Sequence, residues 1–200
     1  SPPASETVRA VFGQEDATMR HSLRTETRWT PGPTPGRRDA MHKTKNDLQE
    51  KVRAQMIALL QERLAEALDL GSQAKQAHWN VKGPSFIALH ELFDEVYEHV
   101  DDHVDMIAER IIQFGGIAEG TLRVAAKRSQ LPEYPLTLTN GKEHVEALSR
   151  SLAYFGETIR KAINQADEIG DKGTADLFTE ISRSLDKDLW FVEAHAQSER

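Results

Sequence analysis

Residues 73–116 read QAKQAHWNVKGPSFIALHELFDEVYEHVDDHVDMIAERIIQFGG, and the pattern inside them decides the fold. From Ser85 to Phe114, apolar side chains recur at Phe86, Leu89, Phe93, Val96, Val100, Val104, Ile107 and Ile111. That is the three-to-four residue spacing of one helical face. Ser85 after Pro84 suits an N-cap, and Gly115-Gly116 suits a stop. The same stretch holds His78, His90, Asp94, Asp105 and Glu109, the imidazole and oxygen donors that divalent ions take.

His90 and Asp94 are one turn apart, as are Asp105 and Glu109, and eleven residues bring the two pairs back to nearly the same face. At helical rise they stand roughly 16 Å apart, while a metal–ligand bond is about 2 Å. One ion cannot be held by both pairs of one chain. Two copies of the helix, antiparallel about a two-fold axis, would set His90 and Asp94 of one opposite Asp105 and Glu109 of the other. An isologous contact of this kind repeats the site twice per dimer, and His78 would join from the end of the preceding helix.

The residues His78-Trp79-Asn80, His90-x-x-x-Asp94, Asp105-x-x-x-Glu109-Arg110 and Gly115-Gly116 together resemble the signature of the Dps family, the mini-ferritins. The likeness continues through Thr174-Ala175-Asp176 and Asp186-Lys187 to Leu189-Trp190-Phe191, and covers roughly residues 46–196. It implies an all-α, ferritin-like four-helix bundle with a long crossover, carrying a short extra helix, between helices 2 and 3. It implies a homo-oligomer, a dodecamer with two-fold-shared ferroxidase sites at His78, His90, Asp94, Asp105 and Glu109. It also implies iron as the metal, with other divalent metals able to substitute. The activity implied is oxidation of Fe(II), with hydrogen peroxide as preferred oxidant, and storage of ferric mineral in a hollow shell. Trp79 would stand beside the site as an electron donor, and Asp171, Asp176 and Glu180 would line three-fold pores. The family default is cytoplasmic and nucleoid-associated; the start at Ser1 without methionine leaves an exported form open.

The chain of 200 residues divides by composition into an extension, 1–45, expected to be flexible, and a bundle domain, 46–200. Five of the eight prolines lie at Pro2, Pro3, Pro31, Pro33 and Pro35, and the run Pro31–Gly36 reads as a linker. Ser1–Arg38 carries six arginines against four acids, although the whole chain has a formal charge of -7. Arg20, Arg24, Arg28, Arg37 and Arg38, with Trp29 interleaved, suit contacts to DNA phosphates. A weakly charged arm without a partner is the bland alternative. Asp39-x-x-His42 and His21 are further metal candidates, with solvated polar residues as the simpler reading. Without cysteine there are no disulfides, thiolate metal sites or thiol catalysis. No apolar run approaches a membrane span.

Leu48, Val52, Met56, Leu59, Leu60, Leu64, Ala67 and Leu68 predict a first helix over about 46–77, with Glu62, Arg63 and Glu66 off its apolar stripe. At that helix's end Trp79 also suits a core aromatic. Residues 115–141 are too long for a tight turn, and Leu122–Ser129 suits a short helix. Third and fourth helices are predicted over 142–169 and 174–196, with Thr174 as cap of the latter. His90-Glu91-x-x-Asp94 lacks the second histidine of a zinc protease. His99 and His103, one turn apart, are either a second site or exposed residues. No glutamate stands three residues before a histidine, which favours an inter-subunit site over one inside the bundle.

Overall fold

The computed structural model describes residues 41–197. They form α1 (Glu50–Asn80), α2 (Phe86–Gln113), α3 (Leu122–Arg128), α4 (Gly141–Ile169) and α5 (Lys172–Ala194), with no strand among the described residues. The long helices pair as two hairpins, α1 with α2 and α4 with α5, and close into a bundle through α1 on α4 and α2 on α5. Met56, Leu60, Leu64, Phe93, Val100, Ile107, Leu148, Phe155, Ile159, Phe178, Ile181 and Leu185 fill the centre, each at most 1% exposed. Burial of each such side chain is worth about 1.5–3 kcal/mol. Gly71 lies inside α1 without breaking it.

The connection from α2 to α4 runs the length of the bundle. Gly115 ends α2 at φ +85°, and a side chain there would meet the His42 carbonyl. Gly141 opens α4 at the other end, against Leu89 and Val81. Between them α3 packs on α1. The crossover is fastened by Ser129 Oγ to Asp69 Oδ2 (2.5 Å) and by Gln73 Nε2 to the Pro132 carbonyl (3.1 Å).

Several boundaries differ from the sequence reading. α1 starts at Glu50 because Asn46 Oδ1 takes the Leu48 amide (3.0 Å) and turns the chain before the helix. The extension expected to run to residue 45 is tied down from His42, whose N–H donates to the Gly115 carbonyl at 2.6 Å. Asp39, His21, Arg20, Arg24, Arg28, Arg37 and Arg38 lie outside the described residues. Ser85 occupies the N-cap position of α2 but makes no side-chain cap bond. α4 opens on a capping box: Asn140 accepts from Glu143 N, and Glu143 accepts from the Asn140 amide. The cap of α5 is Asp171, whose Oδ1 accepts the Thr174 amide (3.1 Å); Thr174 itself is buried in the first turn.

Arg63 and Glu66, read as off the apolar stripe, are buried, because α1 faces α4 as well as α2. Glu66 accepts from Thr158 Oγ1 (2.9 Å) and pairs with Arg63 (3.0 Å), which also donates to the Thr158 carbonyl. Burial still pushes the Glu66 carboxyl up, against the guanidinium that lowers it.

Candidate metal centre

The last turn of α1 and the first turns of α2 meet across the five-residue link 81–85. There the two imidazoles stack, with ring centroids 3.7 Å apart and planes at 21°. His78 Nδ1 is bonded to the His90 carbonyl at 2.7 Å, and His90 Nδ1 to the His78 carbonyl at 2.8 Å. A carbonyl only accepts, so each Nδ1 carries the hydrogen. Each Nε2 of the neutral ring then keeps a free lone pair, the tautomer a metal ligand needs. Phe86 packs on the His90 ring at 5.1 Å.

Asp94, one turn beyond His90, is held by a residue the sequence reading did not single out. The Lys75 ammonium, from α1, pairs with its Oδ1 and also lies 4.5 Å over the Tyr97 ring. That hydrogen bond is the main reason the Asp94 carboxyl titrates below its usual range; the neighbouring His78 and His90 act in the same direction. Nineteen residues separate Lys75 from Asp94, and no local pattern links them.

Asp105 and Glu109 lie far along α2 and are exposed. Arg110 beside them turns inward: Nε donates to Thr174 Oγ1, Nη2 to Asp171 Oδ1 and Nη1 to Gln113 Oε1, each at 3.0 Å. Its guanidinium also covers the Phe114 ring at 4.4 Å. The Arg110–Asp171 pair therefore fixes this end of α2 to the start of α5. Among the described residues of one chain, no three His, Asp or Glu side chains come together around a common point.

Asp171 is 3% exposed and fully engaged as cap and Arg110 partner, so it is not free to line a pore. Asp176 and Glu180, on α5, are exposed. Trp79 is 68% exposed, so the core-aromatic reading fails; it follows His78 on the outside of α1. His42 is exposed and contributes its backbone amide. His99 and His103 part company. His99 Nδ1 bonds Asp188 Oδ1 at 2.9 Å across the α2–α5 seam. His103 is buried, and desolvation holds its pKa down to about 4.

The bundle and its long crossover are those of a ferritin-like protein: the family model described as Ferritin-like domain matches residues 57–200. Within that class the chain belongs to the Dps family. It is 48% identical over 156 residues to the DNA protection during starvation protein of Agrobacterium fabrum, covering 78% of this chain and 96% of that one. It is 35% identical over 136 residues to the fine tangled pili major subunit of Haemophilus ducreyi, with 68% and 71% covered. The solved tetragonal form of Mycobacterium smegmatis Dps superimposes with a TM-score of 0.75 at 32% identity, over 78% of this chain and 96% of that one. No helix among the described residues is long and apolar enough to cross a membrane.

Proposed function

We propose that this chain oxidises Fe(II) and stores the ferric product, at sites each completed by a second copy. The observation that carries this is the arrangement of one face of α2. The register that sets His90 opposite Glu109 and Asp94 opposite Asp105 of an antiparallel copy also sets Ile87 opposite Ile112. Both isoleucines are exposed in the single chain, at 59% and 56%. The two hydrophobes that flank the four ligands would thus cover each other. His78 and His90 offer Nε2 lone pairs, Asp94, Asp105 and Glu109 offer oxygens, and this donor set suits Fe(II) while leaving positions for the oxidant.

Hydrogen peroxide is the oxidant favoured, since its reduction to water takes two electrons and two Fe(II) ions supply them. The product collects as ferric oxide-hydroxide inside a dodecameric shell, and Asp176 and Glu180 attract entering cations. Other divalent metals occupy the same donors. The experiment is Fe(II) oxidation under peroxide, followed optically, with Asp94→Ala/Asp105→Ala as the variant. Loss of rapid oxidation is expected; an unchanged rate refutes the reading.

The relatives named for DNA protection favour a second reading, in which the arginine-bearing arm binds DNA and iron chemistry is secondary. A gel shift at two salt concentrations, with and without residues 1–38, separates the two.

A further inference from the structure

Between the crossover and the first turn of α4 lies a buried hydrogen bond that the proposed iron chemistry does not use. Tyr134, from the crossover, and His144, in the first turn of α4, are 8% and 1% exposed. The phenol oxygen is 2.7 Å from His144 Nδ1. Burial lowers the imidazole's pKa and raises that of the phenol, so both groups are neutral in the folded chain. The phenol therefore donates, Nδ1 accepts, and Nε2 carries the ring hydrogen. Nε2 makes no hydrogen bond of standard geometry, although the Asn80 backbone lies beside the ring. Asn80 is two residues beyond His78, about 3 Å along α1. On the other side, Gly141 of the same turn abuts Leu89, the neighbour of His90. The pair thus borders the end of α1 and the start of α2, the segments that carry both histidines of the candidate centre.

A buried phenol cannot lose a proton to water, but it can lose an electron if a base takes the proton in the same step. His144 Nδ1 is such a base, already in hydrogen-bond contact. The geometry points to Tyr134 as a one-electron donor to the iron centre, with His144 as its proton acceptor. The inference rests on the iron-oxidation reading above.

The step matters when peroxide meets a site holding a single Fe(II). Reduction of hydrogen peroxide to two waters takes two electrons and two protons. Fe(II) supplies one electron and becomes Fe(III); Tyr134 supplies the other. The phenol O–H bond breaks, its proton passes to His144 Nδ1, and the two protons for water come from solvent. A neutral phenoxyl beside an imidazolium remains, and the new N–H⁺ charge is eased by the Asn80 carbonyl next to the ring. A later Fe(II) returns the electron, and His144 returns the proton. Tyr134, 8% exposed in the single chain, keeps its radical inside the fold.

The test is freeze-quench electron paramagnetic resonance on the assembled full-length protein, loaded anaerobically with one Fe(II) per site and mixed with hydrogen peroxide. A radical whose hyperfine pattern collapses on ring-deuteration of tyrosine is expected. The chain has three tyrosines, Tyr97, Tyr134 and Tyr154. The double variant Tyr97→Phe/Tyr154→Phe should keep the signal at wild-type yield, and Tyr134→Phe should lose it. His144→Gln, which can accept a hydrogen bond but not the proton, should lower the yield while Fe(II) oxidation at two ions per site stays normal. A signal lost in the double variant, or carried by tryptophan alone, overturns the inference while leaving iron oxidation standing. Failure of the wild type to consume Fe(II) under peroxide overturns the underlying reading instead.

Discussion

Replacing Lys75 by methionine should make the candidate centre bind divalent metal more tightly. Methionine keeps the apolar stem over Tyr97 and removes the ammonium that now occupies Asp94. Side-chain exposures of 25% for Lys75 and 38% for Asp94 place the pair near water, where such a contact is worth about 1 kcal/mol or less. The larger cost is repulsion. With an ammonium about 5 Å from a divalent ion, an effective dielectric of about 40–80 gives about 2–3 kcal/mol. Swinging the lysine into solvent recovers part of this, leaving about 1.4–2 kcal/mol, or roughly tenfold to thirtyfold in affinity. Zn(II), which has no redox chemistry, is the convenient probe, titrated calorimetrically into the assembled protein. Lys75→Arg, which keeps the charge, should bind as the wild type does. The methionine variant should also bind better only above the raised Asp94 pKa, since protons then compete at higher pH. Zn(II) affinities of wild type and Lys75→Met within about twofold would refute the account of Lys75 as a competing cation.

Ile87→Glu places a carboxylate where the copy's Ile112 is expected; sedimentation should show a smaller particle, and peroxide-driven Fe(II) oxidation should fall with it. Asp171→Ala removes a helix cap and strands the Arg110 guanidinium, costing about 3 kcal/mol in chemical denaturation. Asp176→Ala, at an exposed position, should stay within about 0.5 kcal/mol. His103 is held neutral, so the unfolded chain binds its proton first as pH falls. Between about 6.5 and 4 the fold should lose about 3 kcal/mol per subunit, measured as a falling urea midpoint at fixed protein concentration. Glu66 and Asp188, whose carboxyls burial raises, act in the opposite sense. His103→Leu should therefore flatten the acid limb relative to wild type.

The helices were legible because their apolar residues repeat at helical spacing, and α2 is read to within a residue at both ends. The candidate ligands were legible for the same reason: Asp94 and Asp105 owe their common face to the helix itself. Contacts between helices left no such trace. Lys75 meets Asp94, Glu66 meets Thr158, and Arg110 meets Asp171 from separate helices, 19, 92 and 61 residues apart, so only the folded chain pairs them. At Asp171 the sequence leaves the role open, because a carboxylate at a helix start can serve either water or the backbone; in the fold it caps α5 and pairs with Arg110. One local signal was passed over: Asn140 with Glu143 three residues later is a capping box before a helix.

The reciprocal bonds of His78 and His90 bear on any genetic dissection of the centre. Each ring clasps the main chain that carries the other, so deleting one imidazole leaves its neighbour's hydrogen bond in place and takes away only the stacked face. A single histidine knockout therefore removes one donor while the surviving ring keeps its tautomer. The double knockout, compared with both singles, measures what the stack itself contributes.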